Sequence, residues 1–386
     1  MNIAILITHG TDTLAWTHAF IRYALKNNRV NIAITGSQVP LPTLPSFSDA
    51  YINIVNSVHF LRNIKPAHIF TVFNNGTQAF SDSLYKVDRW NHNAFTGDMI
   101  ARMEWDEVKF ADKRVAIYDS PIILDKLYLL TTGGTIASSN DINDSLSPKK
   151  SPLLEEFIKV QHKDSIVSIE EHSTLVIDSS DITLTKMKAI TDKIIECVHE
   201  NGYTETFADT SFDKHVRIIY TDPFKTIEDY RREVQGASAV ILAGYGGGNI
   251  NIEKDDSYSP ISLIEELREK NIPVVLSSQV ALGPADFIYG NGRKAIDAGA
   301  ISGVDLSLPE IQMRLAYILG HKEALESFTE SANMNYLTTL EKLFVSGMKF
   351  RTRKSLEVYS KVKNLTPSTD DLLINRTFEE ALEEVR

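Results

Sequence analysis

A chain of 386 residues with 43% hydrophobic content holds enough apolar material for two ordinary domains, each with its own core. Its formal charge of -11 is spread along the sequence without a lysine or arginine cluster, which argues against nucleic acid or an anionic membrane as partner and leaves small polar molecules. No apolar run approaches the roughly 20 residues that span a bilayer, and the opening MNIAILITHG turns polar too early for a secretory signal, so a cytoplasmic location is expected.

The first β-branched run, residues 2–7, reads as a buried strand and runs into THGTDT at 8–13. A strand at 30–34 follows, then a helix carrying Ile52, Val55, Val58, His59 and Leu61, then strands at 68–73 and 127–130, the last leading into TTGGT at 131–135. Leu184, Met187, Ile190, Ile194, Cys197 and Val198 recur at helical spacing behind Thr183, an N-cap candidate, and place the one cysteine in a core. Residues 205–215 have little apolar periodicity and read as a linker; strands at 216–220, 239–243 and 273–276 come after it. Such alternation predicts an α/β protein with parallel sheets: a larger domain over 1–204, a smaller α/β domain over 216–340, and a charged helical tail over 341–386. In open α/β sheets ligands bind beyond the carboxyl ends of strands, and both polar motifs, 8–13 and 131–135, fall there and are expected to face one crevice.

Taken singly, each motif has a bland reading. A glycine turn after a strand brings a hydroxyl and backbone N–H groups up to a ligand, but it also serves as an ordinary turn or a phosphate cradle, although no lysine follows here in the phosphate-loop manner. THGTDT packs three threonines, a histidine and an aspartate into six positions; it reads equally as the N-cap of a helix starting near Leu14, with Asp12 or Thr13 accepting the first N–H groups. His9 and Asp12 have no second histidine or cysteine cluster to complete a metal shell, so neither metal nor other cofactor is expected.

Together, TGGTIA at 132–137 and HGTDT at 9–13 resemble the paired signature of the bacterial-type L-asparaginases. ITGSQVPL at 34–41, SDAYIN at 48–53, the segment 74–95 with Lys86, IDSSDIT at 177–183, LAGYGGGNIN at 242–251, SSQ at 277–279, Tyr289-Gly290 and ISGVDLS at 301–307 agree with it, over about residues 2–340. The resemblance implies a homo-oligomer, dimer or tetramer, that acts on a small amino-acid substrate. It implies that Thr135 attacks the side-chain amide carbon, giving a β-aspartyl ester and ammonia, and that water then cleaves the ester. It further implies a second triad of Thr11, Lys86 and Asp12, with the lysine at least partly deprotonated to act as base. Without the resemblance Lys86 reads as a solvated surface lysine. Ser179 and Ser180 would bind the substrate α-carboxylate, Asp12 its α-ammonium, and backbone N–H groups near Thr11 a developing oxyanion. Asn249 would reach a site across a subunit interface, unless YGGG is simply a flexible turn.

Two departures stand out. The family carries TGGTIA first and HGTDT after it, whereas here HGTDT and Lys86 precede Thr132, which suggests a permutation confined to the N-terminal domain; such rearrangements are tolerated where the cut and joined ends lie in exposed loops near one another. The family also places a tyrosine on the loop after the nucleophile, where this chain has Leu146 and no tyrosine between Thr135 and Leu175, so weaker turnover is expected. The rival readings are a glutaminase, an ammonia-producing component of an amidotransferase, and an amino-acid-binding homologue that has lost catalysis; one methylene separates asparagine from glutamine, and sequence does not decide between them.

Overall fold

The computed structural model describes residues 1–41, 48–105, 107–111, 115–133, 138–140, 146–148, 153–283, 285, 290–303, 306–331, 333–346 and 380–381. The chain divides into two compact units, Met1–Thr210 and Ser211–Arg386. In chain order the first holds β1 (Ile3–Thr8), α1 (Leu14–Ala24), β2 (Leu25–Lys26), β3 (Asn31–Thr35), α2 (Ala50–Asn63), β4 (Ile69–Phe73), β5 (Gln78–Lys86), β6 (Phe95–Glu104), β7 (Glu107–Phe110) and β8 (Leu124–Gly133). It continues with β9 (Ser138–Asn140), β10 (Leu146–Pro148), α3 (Leu153–Gln161), β11 (Ile166–Ile177), α4 (Leu184–His199) and β12 (Phe207–Ala208).

Eight of these strands make one sheet in the order β11-β8-β1-β3-β4-β5-β6-β7, while β9 pairs with β10 and β2 with β12. From β11 to β4 every pairing is parallel, and β4-β5-β6-β7 are antiparallel. The expected parallel sheet is therefore a mixed one. The reversal occurs at a tight turn where Asn74, Asn75 and Gly76 all take positive φ (60°, 56° and 66°), the conformation that asparagine and glycine tolerate best. Helices cover both faces of the sheet around β1, which explains why β1, β3 and β4 read as nearly unbroken apolar runs, whereas the edge strand β11 is partly polar and has no buried position. Ala4 and Leu6 of β1 pack with Ile54, Val58 and Leu61 of α2 and Ile158 of α3 on one face. Ile3, Ile5 and Ile7 pack with Leu14 and Ile21 of α1 and Ile190, Ile194 and Cys197 of α4 on the other, as the two-residue period of a strand requires.

Helix α4 begins as its sequence predicts, with the Thr183 hydroxyl accepting the Lys186 N–H. Helix α2 is present but rotated from the expected stripe: Ile52 is exposed, and Ile54, Val58, Phe60 and Leu61 are buried. Helix α1 departs most. Thr13 sits at its N-cap without a side-chain capping bond, its hydroxyl donating instead to the Ser179 carbonyl.

The second unit contains β13 (Val216–Tyr220), α5 (Ile227–Glu233), β14 (Ala239–Gly244), α6 (Ile261–Glu269), β15 (Val274–Ser278), α7 (Gly290–Asp297), β16 (Ile301–Ser302), α8 (Leu308–Gly320), α9 (Lys322–Ser331) and α10 (Tyr336–Val345). Its four strands form a parallel sheet in sequence order, around a core that includes Val240, Leu242, Ile264, Leu276 and Ile296. Helix α10 runs through the boundary expected at 340, with Leu340, Leu343, Phe344 and Val345 buried, so the body of this unit extends further than its charged sequence suggests. Beyond Ser346 only 380–381 are described. Among the described residues no helix is long and apolar enough to cross a membrane.

Candidate functional site

Strands β1 and β8 lie side by side, Thr8 at the end of β1 opposite Thr131 with β8 continuing to Gly133, and the Thr132 hydroxyl donates to the Thr8 carbonyl at 3.0 Å. The two polar motifs thus leave the sheet from neighbouring strands at their carboxyl ends. Thr135 lies outside the described residues, as does the side chain of Leu146, whose backbone pairs with Asn140.

The loop after β1 is held from below. The His9 N–H donates to the Thr35 carbonyl at the end of β3 (2.8 Å), and the His9 carbonyl packs so closely on Gly36 that a Cβ there would stand 2.4 Å from it. The His9 ring is fully buried. Its Nδ1 lies 2.7 Å from the Gly10 carbonyl, which can only accept, so Nδ1 carries the hydrogen and Nε2 accepts from the Thr17 hydroxyl at 3.0 Å. Burial pushes this imidazole down to about 4, against the opposing pull of the Gly10 carbonyl, and keeps it neutral.

Above this base the three residues expected to act together meet. Lys86 is the last residue of β5, more than seventy positions along the chain, yet its Nζ donates to Thr11 Oγ1 at 2.7 Å and to Asp12 Oδ1 at 3.0 Å. Thr11 is buried, the Lys86 side chain is 24% exposed and the Asp12 side chain 61% exposed, so Nζ lies between a sheltered hydroxyl and a wet carboxylate. The surface-lysine reading fails at this contact. Proton exchange between Nζ and Oγ1 needs no movement of either side chain, and the carboxylate fixes the position of the amine.

Ser179 enters the same cluster from the turn after β11. Its hydroxyl accepts the Asp12 N–H at 3.3 Å, and its carbonyl accepts the Thr13 hydroxyl at 2.6 Å. The capping reading of THGTDT is thereby replaced: Thr13 ties the loop to Ser179, and Asp12 faces Lys86. Ser180, one residue on, is exposed, and both its N–H and its hydroxyl donate to Asp178 Oδ1 at 2.8 Å. Thr11, Asp12, Lys86, Ser179 and Ser180 therefore share one end of the first unit.

The segments 34–41 and 48–53 are recognisable in the sequence, but the work of their residues is not. Asp49 is buried, and its carboxylate accepts the N–H groups of Gln38 (3.0 and 3.1 Å) and Val39 (3.0 Å) and the Asn53 side chain (3.2 Å), so the two segments are clasped together. Gln38 Nε2 in turn donates to the carbonyls of Asp88 (3.3 Å) and Asn91 (3.4 Å) in the loop after Lys86. An acid between a glycine turn and an apolar helix was the available signal.

Asn249 lies in the second unit, after β14. Its backbone exchanges hydrogen bonds of 2.8 Å with Tyr245 in both directions, closing a tight loop in which Gly246 and Gly248 have positive φ (48° and 92°), and its buried Oδ1 has no partner among the described residues. YGGG is thus an ordered turn. The described residues contain no group of three or more histidine, cysteine or acidic side chains that would hold a metal ion.

Comparison with known proteins matches the description "Asparaginase, N-terminal" to residues 2–116 and 126–205, and "Glutaminase/Asparaginase C-terminal domain" to residues 215–330. The L-asparaginase of Thermococcus kodakarensis is 24% identical over 332 residues, which span 86% of this chain and 74% of that protein. A solved structure of the thermostable L-asparaginase from Thermococcus kodakarensis has a similar fold, with a TM-score of 0.54 and 21% identity over 86% of this chain and 75% of that one. A shorter stretch of 128 residues, 33% of this chain and 27% of the relative, is 27% identical to one of the component chains of the glutamyl-tRNA(Gln) amidotransferase of Aeropyrum pernix.

Proposed function

Because the chain belongs to the asparaginase/glutaminase family, whose two domain descriptions together cover most of its length, we propose that it hydrolyses the side-chain amide of L-asparagine to aspartate and ammonia. The observation that carries the proposal is the contact of Lys86 with both Thr11 and Asp12. In this reading Thr135 is the nucleophile. Its oxygen adds to the amide carbon, the C–N bond breaks, nitrogen leaves as ammonia, and a β-aspartyl ester remains on the threonine until water cleaves it. Thr11 and Lys86 relay a proton during one or both steps, Asp12 holds Lys86 and meets the substrate α-ammonium, and Ser179 and Ser180 take the α-carboxylate. Asn249 serves a neighbouring copy's site, which makes a homo-oligomer the working form, and the cytoplasm is its proposed location.

We also propose that the first domain is permuted. The family description matches in two separate stretches, 2–116 and 126–205. The end of α4 lies beside the start of β1, with the Tyr203 hydroxyl donating to the Met1 carbonyl at 3.2 Å, so a chain running from one to the other needs no rearrangement of the sheet. The segment between the two stretches follows the end of α2, through Tyr118 N–H to Asn63 and Ile122 N–H to Arg62, and Asn2 meets Asp125 where it enters β8.

The likeness to an amidotransferase component favours one second reading, ammonia production for a partner enzyme. Ammonia release from asparagine and from glutamine by the purified chain tests both. Release from asparagine by the chain alone supports the first reading; release from glutamine only when a partner protein is added supports the second; binding of asparagine without ammonia overturns both.

A further inference from the structure

Helix α1 starts two residues after Asp12, and β5 ends on Lys86, so the separation of these two groups depends on how α1 and β5 are held against each other. The pairing of β5 with its neighbours is a poor ruler. Its ladder with β6 is interrupted by three register shifts between Ala79 and Tyr85, and Ser83 takes a positive φ of 51°. What fixes this stretch from the other side is His18.

We propose that His18 is a positioning residue for Lys86, anchoring the irregular part of β5 to the helix that begins at the Thr11–Asp12 loop. The proposal rests on the reading of Lys86 as the proton relay of Thr11. His18 is in the middle of α1 and fully buried. Its Nε2 lies 2.8 Å from the Ser81 carbonyl of β5, and its Nδ1 2.8 Å from the Thr71 hydroxyl of β4. A carbonyl only accepts, so Nε2 carries the hydrogen, and Nδ1 of the neutral ring accepts from Thr71. One ring thereby bridges a helix and two strands at the point where the sheet turns antiparallel. One helical turn further, Arg22 reaches Asp82 of β5 at 3.9 Å and marks the same seam. Burial, and after it the charge of Arg22, push the imidazole down to about 3, so the neutral tautomer that makes both bonds persists at any working pH.

The consequence is geometric. Lys86 is five positions beyond Ser81, and Nζ must stay within hydrogen-bond reach of two oxygens at once. A displacement of about 1 Å at a reacting group costs up to about a hundredfold in rate. We therefore expect folded His18→Leu to lose about tenfold to a hundredfold in kcat with KM changed less than about threefold. His18→Gln, whose amide nitrogen reaches the Ser81 carbonyl, should recover most of that loss, although both variants melt earlier than wild type. A role confined to stability would lower the melting temperature of both and leave kcat per folded molecule untouched. Crystal structures of the variants supply a reading that does not need turnover: the Lys86 Nζ to Thr11 Oγ1 separation should exceed hydrogen-bond distance in His18→Leu and return in His18→Gln. An unchanged separation overturns the proposal, as does wild-type kcat in His18→Leu. Absence of ammonia release by the wild type overturns the functional reading instead, and the separation still decides the role of His18. If His18→Leu does not fold, Thr71→Val, which removes the donor to Nδ1 and keeps the ring, carries the same two readings.

Discussion

Replacing Lys86 with methionine keeps the length of the side chain and removes only the charged donor. Nζ makes two contacts, 2.7 Å to Thr11 and 3.0 Å to Asp12, and both are lost. The carboxylate end of the ion pair is well exposed, Asp12 at 61% against 24% for Lys86, so solvent screens it and its loss costs about 1 kcal/mol of stability. For a unit of this size that moves the melting temperature by about 2–4 °C. Turnover responds on a different scale. A positioned proton acceptor typically contributes 10²–10⁴-fold, about 3 to 5 kcal/mol of barrier. Coupled-enzyme detection of ammonia at saturating asparagine, alongside a melting curve, measures both. The account requires kcat to fall at least a hundredfold while the fold survives nearly intact. A Lys86→Met protein with kcat within tenfold of wild type would refute the role given to Lys86, because no other described side chain donates to Thr11 Oγ1.

Leu146→Tyr supplies the aromatic hydroxyl that the asparaginase resemblance leads one to expect after the proposed nucleophile, and kcat on asparagine should rise severalfold; unchanged or lower kcat means that Leu146 does not occupy the equivalent place. Gly36→Ala brings a methyl group to 2.4 Å from the His9 carbonyl, a contact that only backbone movement relieves, and should cost about 1–3 kcal/mol or more in a urea titration. The protein should also weaken in mild acid. His9 and His18 are fully buried with pKa values lowered to about 4 and about 3, so between pH 6.5 and those values the unfolded chain takes up protons that the folded one refuses. Stability is whole above about pH 6.5 and falls by about 1.4 kcal/mol per pH unit for each ring as pH drops towards the folded values. Urea midpoints at pH 7 and pH 5 should therefore differ clearly, and equal midpoints would show that these rings are not held neutral.

The parts of the fold that were legible in the sequence share a physical cause. Strands covered on both faces are apolar at nearly every position, so β1, β3, β4, the inner part of β8, β14 and β15 announce themselves as short apolar runs. Helix α4 was equally plain, because a threonine cap and a helical apolar stripe point to the same element. The antiparallel half was not, since β5 and β6 alternate irregularly between buried and half-exposed positions and their register shifts blur the two-residue period. That half carries Lys86, and nothing in residues 78–86 taken alone separates it from a surface lysine; the resemblance supplied its role, and the fold supplies its distance to Thr11. Thr13 shows the opposite case. Its sequence position fits a helix cap, but the loop after β1 passes close to the Ser179 turn, and the hydroxyl donates to the carbonyl there and accepts no bond from the helix N–H groups. His18 was invisible for a related reason: it bonds to a backbone group more than sixty residues along the chain, and such a partner leaves no trace in local spacing.

The central claim is that Thr135 carries the aspartyl group between release of ammonia and attack of water, and acid quenching of the enzyme during turnover of asparagine, followed by peptide mapping, tests it most directly. The account predicts an aspartyl ester on the peptide containing Thr135, and neither ester nor ammonia from Thr135→Ala. Undiminished ammonia release by Thr135→Ala, or the ester on another residue, would contradict it.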